Sequence, residues 1–239
     1  MRRATDRWNT SRLRNWPKKH GVATFTHTRY ISNLEPQCSF EAIKELGNAA
    51  IIGARMHLCH VNSGSLRQVE QVLKMIDEAQ ARGVPVTVEA YPYGAGNGVV
   101  SVAIFTTPDD WRERLGSDAS SFQLGADRLT EEKFADLQAN EPGTFVTWHY
   151  LEEGVPKDLA LLDASITHPS VLIASDAVFW WYFDNDGSVK MYEGDAWPLP
   201  DNVFSHPRSA GAFAKILRSY VRERGLLSLN EAIRRKVFD

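Results

Sequence analysis

From Gly21 onward the chain alternates short runs of β-branched and aromatic residues with longer stretches whose apolar positions recur every three or four residues. This alternation predicts repeated βα units built on a parallel sheet. The first short run covers residues 22–27, and the helical pattern of residues 39–55 then places Phe40, Ile43, Leu46, Ala50 and Ile51 on one face. A second strand is expected at 57–61 and a second amphipathic helix at 65–82, with Val69, Val72, Leu73 and Ile76 inward and Gly83 as its stop. Residues 84–90 form another strand, and the Pro and Gly residues of 91–96 force a loop after it.

Between 99 and 140 the pattern is less regular, with short helices expected at 111–115 and 130–140. Regularity returns with strands at 144–149 and 171–175, which flank a helix from 156 to 165. After an excursion rich in Trp and Gly, a helix over 209–224 carries Phe213, Ile216, Leu217, Tyr220 and Val221 on one stripe, and Ser228 to Glu231 reads as a capping box. The fold expected is a partial TIM-type (β/α) barrel of about five parallel strands with outer helices, over residues 21–239. A closed barrel has eight strands and about 250 residues, so the chain reads as an incomplete one whose terminus looks cut.

Composition narrows the function without choosing it. With 43% hydrophobic and 24% charged residues and a net charge of −3, the chain is an ordinary globular protein, and neither nucleic acid nor a membrane is expected as its partner. No stretch is long and apolar enough to span a bilayer. Cys38 and Cys59 are the only cysteines, which points to a reducing, cytoplasmic setting. Residues 1–20 form a basic segment, read as an exposed helix in preference to a presequence.

Polar groups gather where the expected strands end: His27 and Arg29, His60, Glu89 to Tyr93, His149 and Asp176. Parallel α/β folds place their chemistry at that end. Alternation along a strand puts His27 and Arg29 on one side, and sets His57 opposite His60. Asp176 follows the apolar run Val171 to Ala174 and Ser175, and there it is either a catalytic carboxylate or a turn-forming residue. Tyr91 and Tyr93 either line a pocket or wedge their loop. Arg208, after His206 and Pro207, either clamps a carboxylate or holds the Trp-containing loop. Trp180, Trp181 and Trp197 suggest a lid or a plain structural loop.

As a set, the segments around Thr26 to Arg29, His57 to His60, Glu89 to Gly96, Ile173 to Ala177 and His206 to Phe213 resemble the D-aminoacylase (N-acyl-D-amino-acid deacylase) branch of the amidohydrolase superfamily. The resemblance implies a zinc-dependent hydrolase of the amide bond in an N-acyl-D-amino acid, including those with acidic side chains. It makes His60 a metal ligand and Asp176 the general base and acid. It makes Arg29 and Arg208 candidates to hold the substrate carboxylate; by their position His27, Tyr91, Tyr93 and His206 are further candidates for contact with the substrate, and His149, which matches no motif of the family, is either a second metal ligand or a substrate contact. The superfamily's His-x-His pair is absent from the first strand, so zinc is expected to be weakly bound or absent. The alternative reading is a catalytically impaired, truncated fragment of such an enzyme, which self-associates through an open sheet edge.

Overall fold

The computed structural model describes residues 19–28, 38–51, 53–106, 110–185 and 187–236. Arg29 and nearly all of the basic N-terminal segment lie outside the described residues. The first layer is a parallel sheet of four strands in the order β1 (Ala23–Thr26), β2 (Arg55–Leu58), β3 (Val86–Ala90) and β8 (Val171–Ile173). Helices α1 (Ser39–Ile51), α3 (Val69–Ala81) and α6 (Pro156–Thr167) cover one face of it. Period-two alternation explains the division: Met56, Leu58, Val86 and Val88 turn to the helices and are buried with Val72, Leu73 and Ile76. The expected stop at Gly83 holds, with φ at +77°.

The opposite face of the sheet is polar and partly open. Phe25, His57 and Thr87 lie side by side in register there. His57 Nδ1 is 2.7 Å from Thr87 Oγ1, and its Nε2 is 3.1 Å from Glu89 Oε2. Phe25 leans on the His57 ring at 4.6 Å and remains 63% exposed. Buried His57 and partly exposed Glu89 are thus a polar pair on the sheet face.

The sheet departs from expectation at residues 144–149. They do form a strand, β7 (Phe145–His149), but it belongs to a separate antiparallel sheet with β4 (Ala95–Val99), β5 (Phe122–Leu124) and β6 (Asp127–Arg128). Because β8 pairs directly with β3, the parallel sheet holds four strands, not five, and no closed barrel forms among the described residues. Between these two neighbours the chain also builds α4 (Trp111–Leu115) and α5 (Glu131–Asn140). The Trp-rich excursion is a small antiparallel sheet, β10 (Val189–Met191), β9 (Trp181–Phe183) and β11 (Val203–Phe204). The chain closes with α7 (Arg208–Lys215), which widens into π-type turns over Ile216–Glu223, and α8 (Leu229–Arg234), N-capped by Ser228. No helix among the described residues is long and apolar enough to cross a membrane.

Candidate active site

At the C-terminal ends of the parallel strands lies a cavity of about 330 Å³, lined among others by His27, His60, Ser63, Tyr91, Asp176 and Arg208. The expectation that His60 and Asp176 share one mouth therefore holds. Both residues leave the sheet with positive φ, 37° and 49°, a region that side chains with a Cβ enter at a cost. Among the described non-glycine residues only Leu66 also has positive φ. Strain of this kind, of order 1–3 kcal/mol per residue, gathers at sites where geometry is held for use.

Each side chain is oriented by a second group. His27 Nδ1 lies 2.7 Å from the Thr28 carbonyl and must donate to it, which leaves the Nε2 lone pair uncommitted. Ser63, on α2 (Val61–Ser65), sits 2.9 Å from His60 Nδ1 and 3.2 Å from the His60 carbonyl. Both contacts are satisfied when the hydroxyl donates to the carbonyl and Nδ1–H donates to the hydroxyl, so His60 also keeps an Nε2 lone pair. The two imidazoles meet edge to face at 4.5 Å. Burial holds the His60 pKa below its ordinary value, with His27 and Arg208 acting in the same direction against Asp176.

Asp176 pairs with Arg208, Nη1 to Oδ2 at 2.9 Å, and the guanidinium lies 4.6 Å over the Tyr91 ring. Arg208 Nε is buried without a hydrogen-bond partner. Asn62, which sequence reasoning missed, fixes the loop after β3: its Nδ2 donates to the Tyr91 carbonyl at 2.9 Å and to the Tyr150 hydroxyl at 3.0 Å. Asn62 and Ser63 follow His60 at a strand end, which is the one signal in the chain that marks them.

The remaining expected contacts lie elsewhere. His149 ends β7, in the antiparallel sheet, and lines a second cavity with Tyr93 and His206. It is not on the rim shared by His60 and Asp176, because its strand never joins the parallel sheet. Its Nε2 is 2.8 Å from Gln123 Oε1. Tyr93 carries Lys215 over its ring at 4.1 Å, and His206 Nδ1 accepts the Arg208 backbone N–H at 3.0 Å.

The donor set does not complete the zinc site that the resemblance implies. Structural and catalytic zinc sites take three or four protein ligands, and among the described residues no three His, Cys, Asp or Glu side chains converge on one point. His27 and His60 offer two nitrogens, while Asp176 is engaged by Arg208.

No protein-family model matches the chain, and no curated protein matches it significantly. Solved structures do match. D-aminoacylase, whose structure defines a novel subset of amidohydrolases, superposes with a TM-score of 0.61 at 18% identity, over 91% of this chain and 41% of that one. The likeness is one of fold. N-acyl-D-glutamate deacylase from Bordetella bronchiseptica, complexed with zinc and a phosphonate mimic of the tetrahedral intermediate, superposes at 0.64 with 16% identity, over 95% of this chain and 44% of that one. A binuclear metal center is described for D-aminoacylase. The chain thus spans less than half the length of the solved structures it matches.

Proposed function

We propose that the chain is a hydrolase of carbon–nitrogen bonds that acts on the amide of an N-acyl-D-amino acid. One observation carries the reading: His60 and Asp176, distant in sequence, meet in one cavity at the same end of the parallel sheet, each in a left-handed backbone conformation. The fold shared with D-aminoacylase and N-acyl-D-glutamate deacylase supports it. Asp176 takes a proton from the attacking water and returns it to the leaving nitrogen as the C–N bond breaks. Arg208, which lines the same cavity, holds the substrate carboxylate beside it. His27 and His60 orient the water through their Nε2 lone pairs. Among the described residues the zinc ligand set is incomplete.

The test is release of free amine from N-acetyl-D-glutamate by the purified chain, with Asp176→Asn as the comparison. Turnover in the native chain and its loss in the variant support the assignment; no release above the blank refutes it. A second reading, a ligand-binding fragment without turnover, is favoured by the Asp176–Arg208 pair and by the incomplete zinc ligands. It predicts calorimetric binding of N-acetyl-D-glutamate with no free amine.

A further inference from the structure

The cavity that holds His60 and Asp176 also has an apolar end. Its charged lining residues, Asp176 and Arg208, and its two imidazoles sit beyond the parallel strands or at the start of α7. Another part of the wall comes from the segment between β3 and β8: Gly98 of β4, Val102, Ile104 and Phe105 in the turn that follows, and Trp148 of β7. None of these five carries a charge. The Trp148 indole N–H donates to Ser117 at 3.0 Å, so the side chain offers the cavity only ring carbon. Phe105 packs edge-on against Trp148 at 5.0 Å and against Phe122 at 4.7 Å, which holds this wall rigid. Val102 and Ile104 are half-buried, so apolar surface here still meets water and gains by being covered.

Two glycines make the room. Gly96 and Gly98 lie two apart on β4 and share a face. A Cβ on Gly96 would fall 3.1 Å from the Tyr91 hydroxyl and 3.9 Å from Arg208 Nη1, at the polar end. One on Gly98, about 7 Å further along the strand, would meet nothing within 4 Å. The space is thus open where its walls are apolar.

We propose that this end of the cavity takes an apolar acyl chain, which makes the substrate class an N-acyl amino acid whose acyl group is longer than acetyl. The inference rests on the hydrolytic reading above for the placing of the carboxylate. With that carboxylate at Arg208 and the amide nitrogen beside Asp176, the amino-acid side chain branches from the carbon that bears the carboxylate and stays near Arg208. The acyl chain leaves from the far side of the amide and is the part that reaches Gly98. Arg208 is the only Arg or Lys among the described lining residues, so an acyl chain ending in a second carboxylate would lose hydration without finding a partner.

N-hexanoyl-D-glutamate and N-acetyl-D-glutamate are the probes, compared by calorimetry on the full chain while free amine is followed separately. Each methylene fully removed from water is worth about fourfold in affinity, so the hexanoyl compound is expected to bind at least about tenfold more tightly. Gly98→Leu fills the apolar end and is expected to bring the two affinities within about twofold of each other. If that variant loses its native circular dichroism, Ile104→Asn, at a half-buried position, serves in its place and lowers the ratio by at least about threefold, because its amide must be stripped of water beneath the chain. Equal affinities in the native chain, binding of neither compound, or a ratio unchanged in the folded variant overturns the inference. The two readings separate: a tenfold preference without amine release refutes hydrolysis alone, and amine release with equal affinities refutes the apolar acyl site alone.

Discussion

Asp176 and Arg208 form an ion pair of unequal burial: the guanidinium is 6% exposed, the carboxylate 30%. The arginine therefore depends on the aspartate more than the reverse, since its charge has given up nearly all its water and stacks on Tyr91.

Arg208→Met keeps the apolar stem and removes the charge, stranding a carboxylate that water still reaches. The expected loss is about 2 kcal/mol, below the 3–5 kcal/mol of a fully buried pair. Asp176→Asn costs more, because it leaves a guanidinium that has given up its water without a counter-charge, even though asparagine tolerates positive φ and retains an acceptor for Nη1. Urea unfolding of both variants checks the order; an Arg208→Met loss larger than that of Asp176→Asn would contradict it.

Acid weakens the fold through His206. Its pKa is about 3 when folded against 6.5 for the ordinary side chain, so below pH 6.5 the unfolded chain takes up a proton that the folded chain refuses. Stability is therefore fully present above about pH 6.5 and declines toward pH 3, at up to about 1.4 kcal/mol per pH unit from this group. His60 and His149, also held below their ordinary values by burial, add to the same slope. Unfolding midpoints across that window should flatten in His206→Leu; an unchanged slope would remove His206 from the account.

Gly94 admits no side chain. A Cβ there would fall on the Leu151 carbonyl oxygen, where Leu151 N–H donates to the Gly94 carbonyl at 2.9 Å. Gly94→Ala is expected to cost about 1–3 kcal/mol, as overpacking does, and to reduce amide protection in β4 and β7. Thermal melts and hydrogen exchange report the two effects.

Zinc uptake by the isolated chain should be substoichiometric after dialysis, with little further loss in His27→Ala, since two imidazoles hold the ion weakly. Elemental analysis checks this. One tightly held equivalent that disappears in His27→Ala would show that a further ligand joins the pair.

Periodicity made the parallel layer legible: the strand over 84–90 and the stripe on α3 read correctly, whereas the second strand, expected at 57–61, runs Arg55–Leu58; the meeting of His60 with Asp176 follows from the rule that loops converge at the carboxyl ends of parallel strands. The same periodicity marks Phe145–His149 as a strand but is silent on its partner, so His149 was expected on the wrong rim. Residues 95–99 gave no strand signal, because Gly96 and Gly98 have little intrinsic preference for one. Gly96 serves close approach instead: a Cβ on it would sit 3.1 Å from the Tyr91 hydroxyl. The apolar end formed by Gly98, Ile104 and Trp148 exists only through tertiary packing.

Since β8 lies beside β3, residues 91–170 leave and rejoin the molecule at adjacent points. Such a segment behaves as a cassette. Its ends are pinned by ladder bonds that do not involve it, so the part of it away from Tyr91 and α6 can change in length without shifting the register of either strand. The cost falls on assembly: the β3–β8 ladder can zip only after a long intervening stretch has been brought back on itself, making it a late step in folding.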